Sequence, residues 1–178
     1  MTIIVNLMGA PGSGKSTIAT GIFYNLKIAG INVEYSDEFA KQLVYEERHV
    51  TLRCQPYIFG KQLRNLERLM GNVDVIVSDS PLLLCSYYNL KYRQGAYPAS
   101  FDQMVVEQYK KLSSMTYLID RVKPYQTVGR LQTADESDQV GRELNAMLDQ
   151  HDIAYKRING DESAVPYVTA NIITTLTK

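Results

Sequence analysis

Gly9-Ala10-Pro11-Gly12-Ser13-Gly14-Lys15-Ser16 is the stretch that decides the fold, and it fits the pattern G-x-x-x-x-G-K-[ST] at every fixed position. Glycines in such a loop let successive backbone N–H groups turn inward and surround phosphate oxygens. The helix that follows directs its positive end at the same anion. Lys15 is placed to reach the β- and γ-phosphates of ATP, and the Ser16 hydroxyl is placed to bind Mg²⁺. Residues 9–17, which end at Thr17, are therefore the predicted nucleotide-binding set.

The flanking residues supply the strand and the helix that this loop requires. Residues 2–8 form a short, apolar and β-branched run, as in a buried strand. Downstream, apolar residues recur at helical spacing, and Gly30 is placed to end that helix. The alternative is a glycine-rich turn in an unrelated α/β protein, which would not require this order of strand, loop and helix. The context therefore favours a phosphate-binding loop.

The composition is typical of one globular domain. The chain has 178 residues, 45% hydrophobic and 21% charged, so we predict a single domain over residues 1–178. Its formal net charge is zero, which weakens a general nucleic-acid-binding role but leaves room for a local basic patch. Cys54 and Cys85 lack metal-binding spacing, and no apolar stretch approaches the roughly 18 residues of a membrane span. The apolar start is interpreted as a strand and not a signal peptide, so we expect a cytoplasmic protein without a membrane partner.

Two carboxylates follow the second predicted strand, residues 31–36. Asp37 and Glu38 stand at its carboxyl end, the edge of an open α/β sheet where ligands bind. There the pair can orient a substrate hydroxyl, take its proton, or hold the metal. The alternative is that one of them caps the next helix, residues 38–45, and Asp37 is the better candidate for that cap.

The third predicted strand also ends in an acid. Residues 73–77 are mostly β-branched, and Asp79 follows them, with Pro81 placed to end the strand. An acid at this point is typical of the carboxylate that steadies Mg²⁺ beside a phosphate loop, directly or through water. Loops in α/β proteins also begin with Asp as a helix cap, so the prediction depends on the phosphate loop being real.

Tyrosines are concentrated in and after residues 82–94, in a chain with 13 tyrosines and no tryptophan. Tyr87 and Tyr88 are candidate substrate-binding residues, with Tyr92 beside them, because a tyrosine ring can stack on a base while its hydroxyl stays in water. The alternative for each is a half-buried position at the rim of a helix.

A basic segment follows the fourth predicted strand, residues 115–120. It contains proline and glycine and suits a mobile lid over the phosphates at about residues 121–133. Arg121 and Arg130 are candidates to stabilise the charge on a transferring phosphoryl group, with Lys123 third; such an arginine is worth about 10³ to 10⁵ in rate. The alternative is an exposed basic loop.

Five strands alternating with helices predict an α/β fold with a parallel sheet covered on both faces. With the phosphate loop after the first strand, the chain resembles P-loop kinases of nucleosides and nucleotides, in particular small phage kinases allied to the nicotinamide riboside kinase group. The resemblance implies a three-layer α/β/α P-loop NTPase fold with strand order 2-3-1-4-5. The phosphate loop is its most specific part, and the other matching stretches are residues 33–41, 57–62, 77–82, 121–125 and 129–130.

This resemblance implies phosphoryl transfer from ATP with Mg²⁺ to a nucleoside-type acceptor. The leading expectation for this acceptor is the hydroxymethyl group of 5-hydroxymethyluracil in phage DNA. A protein with that substrate would act in the host cytoplasm. A free nucleoside, a nucleotide or nicotinamide riboside is the alternative acceptor. Because the substrate-binding helices of small kinases fall at this point of the chain, Arg48, Gln62 and Arg64 become candidates for acceptor binding.

A P-loop domain can also hydrolyse its nucleotide to drive a switch, without any phosphate acceptor. Such machines usually carry a second acid after the strand-end aspartate, and Ser80 stands at that position here. The kinase interpretation is therefore preferred. The sequence leaves open whether the protein is a monomer or a homodimer.

Overall fold

The computed structural model describes residues 1–93, 96–125 and 133–177. The strands are β1 (Ile3–Gly9), β2 (Val33–Ser36), β3 (Val75–Ser78), β4 (Ser114–Asp120) and β5 (Lys156–Asn159). The helices are α1 (Lys15–Ile28), α2 (Phe39–Tyr45), α3 (His49–Leu52), α4 (Gln55–Glu67), α5 (Leu83–Arg93), α6 (Ala99–Lys111), α7 (Ala134–Gln150) and α8 (Ala164–Leu176).

The strands form one parallel sheet with the order β2-β3-β1-β4-β5, which confirms the predicted P-loop topology. All seven residues of β1 are buried, as expected for the central strand of a sheet that is covered on both faces. Because every strand is parallel, the residues that follow β1, β2, β3 and β4 meet at one edge. This edge carries the predicted site.

Two apolar layers cover the sheet. On one face, α1 and α8 pack with β1 through residues such as Ile22, Leu26 and Val168. On the other face, α4 to α7 pack against the sheet through residues such as Leu66 and Leu144. Burying an aliphatic side chain of this size contributes about 1.5–3 kcal/mol, so the two layers hold the carboxyl edge in a fixed geometry.

Local contacts set the ends of three elements. The N–H of Ile153 donates to Leu148 O at the end of α7, and β5 starts at Lys156. Thr133 caps α7 in a capping box, since Thr133 and Glu136 bond each other's backbone N–H groups. Helix α6 begins at Ala99, with Pro98 at its cap position and no side-chain capping bond. Within the described residues, no helix is long and apolar enough to cross a membrane.

Candidate functional site

The phosphate loop lies between β1 and α1 as predicted. Gly14 precedes α1 in the left-handed region, with φ of 95°, a conformation that favours glycine. Gly160, after β5, lies so close to the loop that a Cβ there would overlap the Ser13 carbonyl. Its N–H donates to Asp120 O at 2.8 Å, and Ser137 Oγ donates to Pro11 O at 2.7 Å. The ends of β4, β5 and α7 therefore hold the loop in place.

Lys15 lies across the mouth of this loop. Its Nζ donates to Gly9 O at 2.8 Å and to Ala10 O at 3.0 Å. The ammonium also lies close enough to Glu38 to oppose in part the rise that burial causes in the pKa of that carboxyl. A positive charge is thus fixed where the β- and γ-phosphates of a nucleotide would lie in a loop of this type.

Ser16 and Asp79 meet at the same edge, although 63 positions separate them in the sequence. Ser16 Oγ donates to Asp79 Oδ2 at 2.7 Å. Asp79 is only 3% exposed, and within the described ranges its Oδ1 is buried without a hydrogen-bond partner. A hydroxyl and a carboxylate are hard oxygen ligands, and Mg²⁺ in kinase sites binds one or two carboxylates together with substrate phosphates and water. The pair therefore fits the predicted Mg²⁺ site.

Glu38 forms an acidic cluster with Asp79. Burial raises the pKa of Glu38 above its ordinary value of 4.5, and the charge of Asp79 adds to this, while Lys15 and Lys41 oppose it. A carboxylate whose pKa is raised is a stronger base, and beside a phosphate loop it is suited to accept the proton of a hydroxyl.

Tyr35 belongs to this cluster, and sequence reasoning missed it. Burial and the neighbouring Asp79 raise the pKa of the Tyr35 hydroxyl. Its ring packs edge-on against Phe23 of α1, with centroids 6.3 Å apart, and its hydroxyl lies close enough to Asp79 for the charge of that carboxylate to act on it. Its position near the end of β2, two residues before Asp37, is the signal that identifies it.

Neither carboxylate after β2 caps a helix, so the capping alternative is wrong. The cap position of α2 is Glu38, which makes no side-chain capping bond. Asp37 is exposed and accepts a bond from Gln42 Nε2 at 2.9 Å. Both acids therefore remain available to a ligand at this edge.

The three candidates from the region of α2 to α4 lie in different environments. Gln62 was predicted to bind substrate, but it is 1% exposed and its amide bonds the backbone of Asp37 and Phe39, so it does not face an acceptor. Arg48 is exposed and pairs with Glu46 at 3.4 Å. Arg64 lies on the exposed face of α4. Acceptor binding by the two arginines remains a prediction.

Tyr87 and Tyr88 point in different directions from α5. Tyr88 faces the acidic cluster, since burial and the charge of Glu38 raise its pKa, and its ring stacks on Tyr92 with centroids 5.6 Å apart. Tyr87 is buried, and its hydroxyl donates to Glu143 Oε2 of α7 at 2.5 Å. Only Tyr88 of the predicted pair is therefore near the site, and Tyr87 is a packing residue.

Arg121 follows β4 and is bound to α7. Its Nη2 donates to Asp138 Oδ1 at 2.6 Å, and its guanidinium lies 5.6 Å from the centre of the Tyr125 ring. Lys123 is exposed and pairs with Glu162 at 3.3 Å. Arg130 and residues 126–132 of the predicted lid lie outside the described residues. A catalytic role for Arg121, Lys123 or Arg130 remains a prediction.

A cleft of about 470 Å³ opens between the end of β4 and α7. Ala10 of the phosphate loop and Ile119 of β4 contribute to its apolar lining, and Arg121, Arg142 and Arg157 contribute to its charged lining. It lies on the β4 side of the loop, away from the acidic cluster at the ends of β2 and β3.

The loop, the strand order and the Ser16–Asp79 pair together define a P-loop nucleotide-binding domain. A family profile described as "AAA domain" matches residues 4–164, and the chain belongs to that family. Among solved structures, one described as "Crystal structure of NadR protein in complex with NR" aligns with a TM-score of 0.67 and 15% sequence identity. The alignment covers 98% of this chain and 51% of that one, so the chain spans about half of its length, and the likeness establishes the shared fold. No curated protein sequence matches the chain.

Proposed function

We propose that this protein transfers the terminal phosphoryl group of ATP to a hydroxyl group of a nucleoside-type acceptor. The observation that carries the proposal is the position of Glu38, a carboxylate with raised proton affinity between Lys15 and Asp79. Transfer and hydrolysis both need the phosphate loop, the metal site and a group that orients or deprotonates the attacking oxygen. We assign that last role to Glu38, acting on an acceptor hydroxyl.

The residues divide the reaction among them. Lys15 and backbone N–H groups within residues 9–17, where Pro11 supplies none, bind and orient the phosphates. Ser16 and Asp79 would hold Mg²⁺, which when bound neutralises charge on the phosphate oxygens. Glu38 accepts the proton of the acceptor hydroxyl while that oxygen bonds to the γ-phosphorus and the bond to the ADP oxygen breaks. Asp37, exposed and bonded to Gln42, is placed to orient the acceptor.

The specific acceptor that we propose is the hydroxymethyl group of 5-hydroxymethyluracil in DNA. Two features support it beside the sequence resemblance. The stacked rings of Tyr88 and Tyr92 next to Glu38 offer a surface for a base turned out of a duplex. Lys61, Arg64 and Arg68 follow one exposed stripe of α4 and its end, where they can track a phosphate backbone. Such an activity belongs in the cytoplasm, where ATP and DNA are both available.

A free nucleoside is the second candidate acceptor. The structural likeness to the NadR protein, solved in complex with NR, favours it. A third candidate is ATP hydrolysis without an acceptor, which the name of the AAA domain family favours. The serine after Asp79, where a hydrolysing machine usually carries a second acid, opposes this third candidate.

One experiment separates the three candidates. The protein is incubated with Mg²⁺ and γ-labelled ATP in the presence of hydroxymethyluracil-containing DNA, of free nucleosides including nicotinamide riboside, or of no acceptor. Label on the DNA base supports the proposal, and binding to that DNA should weaken steeply with salt because neutralised phosphates release counterions. Label only on a free nucleoside supports the second candidate. Steady hydrolysis with label on neither contradicts the kinase proposal.

A further inference from the structure

Gln62 is a polar residue in an apolar stripe. It lies in the middle of α4, and the buried residues around it on the same face include Ile58, Phe59 and Leu66. Its side chain is 1% exposed. A buried amide without partners costs about 1–3 kcal/mol, so a polar residue at this position has to find hydrogen bonds there.

Both of its bonds go to the backbone on either side of Glu38. Gln62 Nε2 donates to Asp37 O at 3.0 Å, and Gln62 Oε1 accepts from Phe39 N at 3.4 Å. The two contacts thus lie on either side of Glu38, the predicted base. They come from a helix more than twenty positions away in the sequence. Neither bond uses a carboxylate of the acidic cluster.

The second bond satisfies one of the unpaired donors at the start of α2. The first N–H groups of an α-helix have no acceptor within the helix, and Phe39 is the first residue of α2. Gln62 Oε1 accepts from the Phe39 N–H. The side chain of Glu38, at the cap position, makes no capping bond of its own.

Packing around Phe39 makes this corner rigid. The Phe39 ring contacts Tyr57 of α4 edge-on, with centroids 5.7 Å apart. Lys61 Nζ lies 5.9 Å from the centre of the Phe39 ring and 5.5 Å from that of Tyr57. The start of α2 is therefore attached to α4 by side chains as well as by the amide of Gln62.

From this geometry we propose that Gln62 is a positioning residue, which fixes the backbone at Glu38 so that its carboxylate faces the acceptor. The role rests on the proposed kinase function. Glu38 touches the reacting hydroxyl, and Gln62 acts through it. Because a displacement of about 1 Å at a reacting group can cost 10²-fold in rate, two bonds that hold the backbone are enough to matter.

The test compares two buried glutamines of the same helix. Gln62→Met removes both bonds at nearly constant volume. Gln55→Met is the matched control, because Gln55 is also buried on α4, at 7% exposure, but its Nε2 donates to Leu52 O and not to the backbone at Glu38.

Gln62→Glu is the second variant in case Gln62→Met does not fold, since it keeps an acceptor for Phe39 N–H but loses the donor to Asp37 O. Four quantities are measured on the full chain: kcat for transfer, the Kd for ATP, the melting temperature, and hydrogen exchange of the Phe39 amide.

We expect Gln62→Met to lower kcat by about 10²-fold with unchanged ATP affinity and to lose protection of the Phe39 amide. Gln62→Glu should lower kcat while keeping that protection, and Gln55→Met should change neither. A purely structural role would lower the melting temperature of both methionine variants and leave kcat unchanged, and that result overturns the proposal.

If the wild-type chain transfers no phosphate to any acceptor, the kinase function fails and the positioning role fails with it. Selective loss of Phe39 protection in Gln62→Met would then still establish the two bonds.

Discussion

The two sides of the sheet's carboxyl edge carry acids in opposite arrangements. At the ends of β2 and β3, Glu38 and Asp79 lie close together in a partly buried cluster, where burial and mutual repulsion raise the pKa of Glu38. On the β4 and β5 side, acids are matched to arginines: Arg157 Nη2 lies 2.6 Å from Asp120 Oδ1, and Arg121 Nη2 lies 2.6 Å from Asp138 Oδ1. Asp79 is 3% exposed, whereas the Asp120 side chain is 40% exposed.

Partly buried clusters of acids are typical of functional sites, whereas exposed acid–arginine pairs are typical of a protein surface. Crowding acids in a partly buried place costs free energy, which selection for stability alone would remove. Exposed ion pairs cost little and contribute little, about 0–1 kcal/mol each. We propose that the reaction takes place on the acidic side, and each prediction below tests that contrast.

The largest effect is expected from the cation that faces the acidic side. Lys15→Ala should lower phosphoryl transfer by at least about 10³-fold, because Lys15 supplies charge to the phosphates and does not pack the core. Transfer from γ-labelled ATP measures it. The control is Lys27→Ala, on the same helix, where the lysine is exposed and pairs with Glu34 at 3.0 Å. Near-normal transfer by a folded Lys15→Ala protein would show that the loop is not catalytic.

The next effect is expected at the proposed base. Glu38→Gln should lower kcat by about 10²-fold, because the amide cannot accept the hydroxyl proton. The base acts as a carboxylate, so wild-type activity should fall as pH drops through the raised pKa of Glu38, and the variant should lack this acid limb. A pH series of kcat for both proteins measures it, with Glu34→Gln of β2 as control. If Asp37→Asn proves the more damaging change, the base is Asp37.

A smaller effect is expected at the metal site. Asp79→Asn should raise the Mg²⁺ concentration for half-maximal activity about 10-fold, because a neutral amide replaces the negatively charged carboxylate that fits the ion. A Mg²⁺ titration at saturating ATP measures the shift. Asp74→Asn, an exposed acid just before β3, should leave the titration unchanged. An unaltered Mg²⁺ requirement in Asp79→Asn would mean that the carboxylate serves only the Ser16 bond.

The sequence was sufficient for the sheet and for the centre of the site. The apolar run of β1 and the glycine loop are local patterns, and the strand order that the family resemblance implies, with β3 beside β1, brings Ser16 and Asp79 together. The strand-end rule predicted that Asp37 and Glu38 would lie at the ligand-binding edge. Local pattern, the strand-end rule and the family's strand order therefore account for the correct parts.

The errors concern side-chain direction, which no local pattern contains. Tyr87 and Tyr88 are neighbours in α5, yet one bonds Glu143 of α7 and the other faces Glu38, because adjacent helical residues point about 100° apart. Gln62 was expected to face substrate, but the rotation of α4 turns it into the core. Tyr35 was missed because its proximity to Asp79 depends on where β2 lies relative to the end of β3. These directions follow from packing between elements.

The arginine-matched side should respond weakly. Asp120→Asn should lower the free energy of unfolding by only about 0.2–1 kcal/mol, since both partners of the Asp120–Arg157 pair are largely exposed. Urea unfolding of Asp120→Asn, Arg157→Gln and the double variant gives the coupling energy of the pair. A coupling well above this range would mean that the pair is a structural element of the edge, and the contrast between the two sides would lose its basis.

The smallest effect is expected in the stability of the protein when the charge of Glu38 is removed. Burial raises the folded-state pKa of Glu38 above its ordinary value of 4.5, so its contribution to stability is fully present below the unfolded pKa and is lost as pH rises through the folded pKa. Glu38→Gln has no charge to bury, and it should therefore be more stable than the wild type at neutral pH. This gain should vanish once the pH is well below the unfolded pKa of Glu38, where the wild-type carboxyl is protonated in both states. Thermal unfolding of the two proteins across that pH range measures it, with Asp120→Asn as the contrasting variant that loses stability at neutral pH. Destabilisation by Glu38→Gln at neutral pH would show that attraction to Lys15 and Lys41 outweighs burial, and that this side of the edge, too, is built for stability.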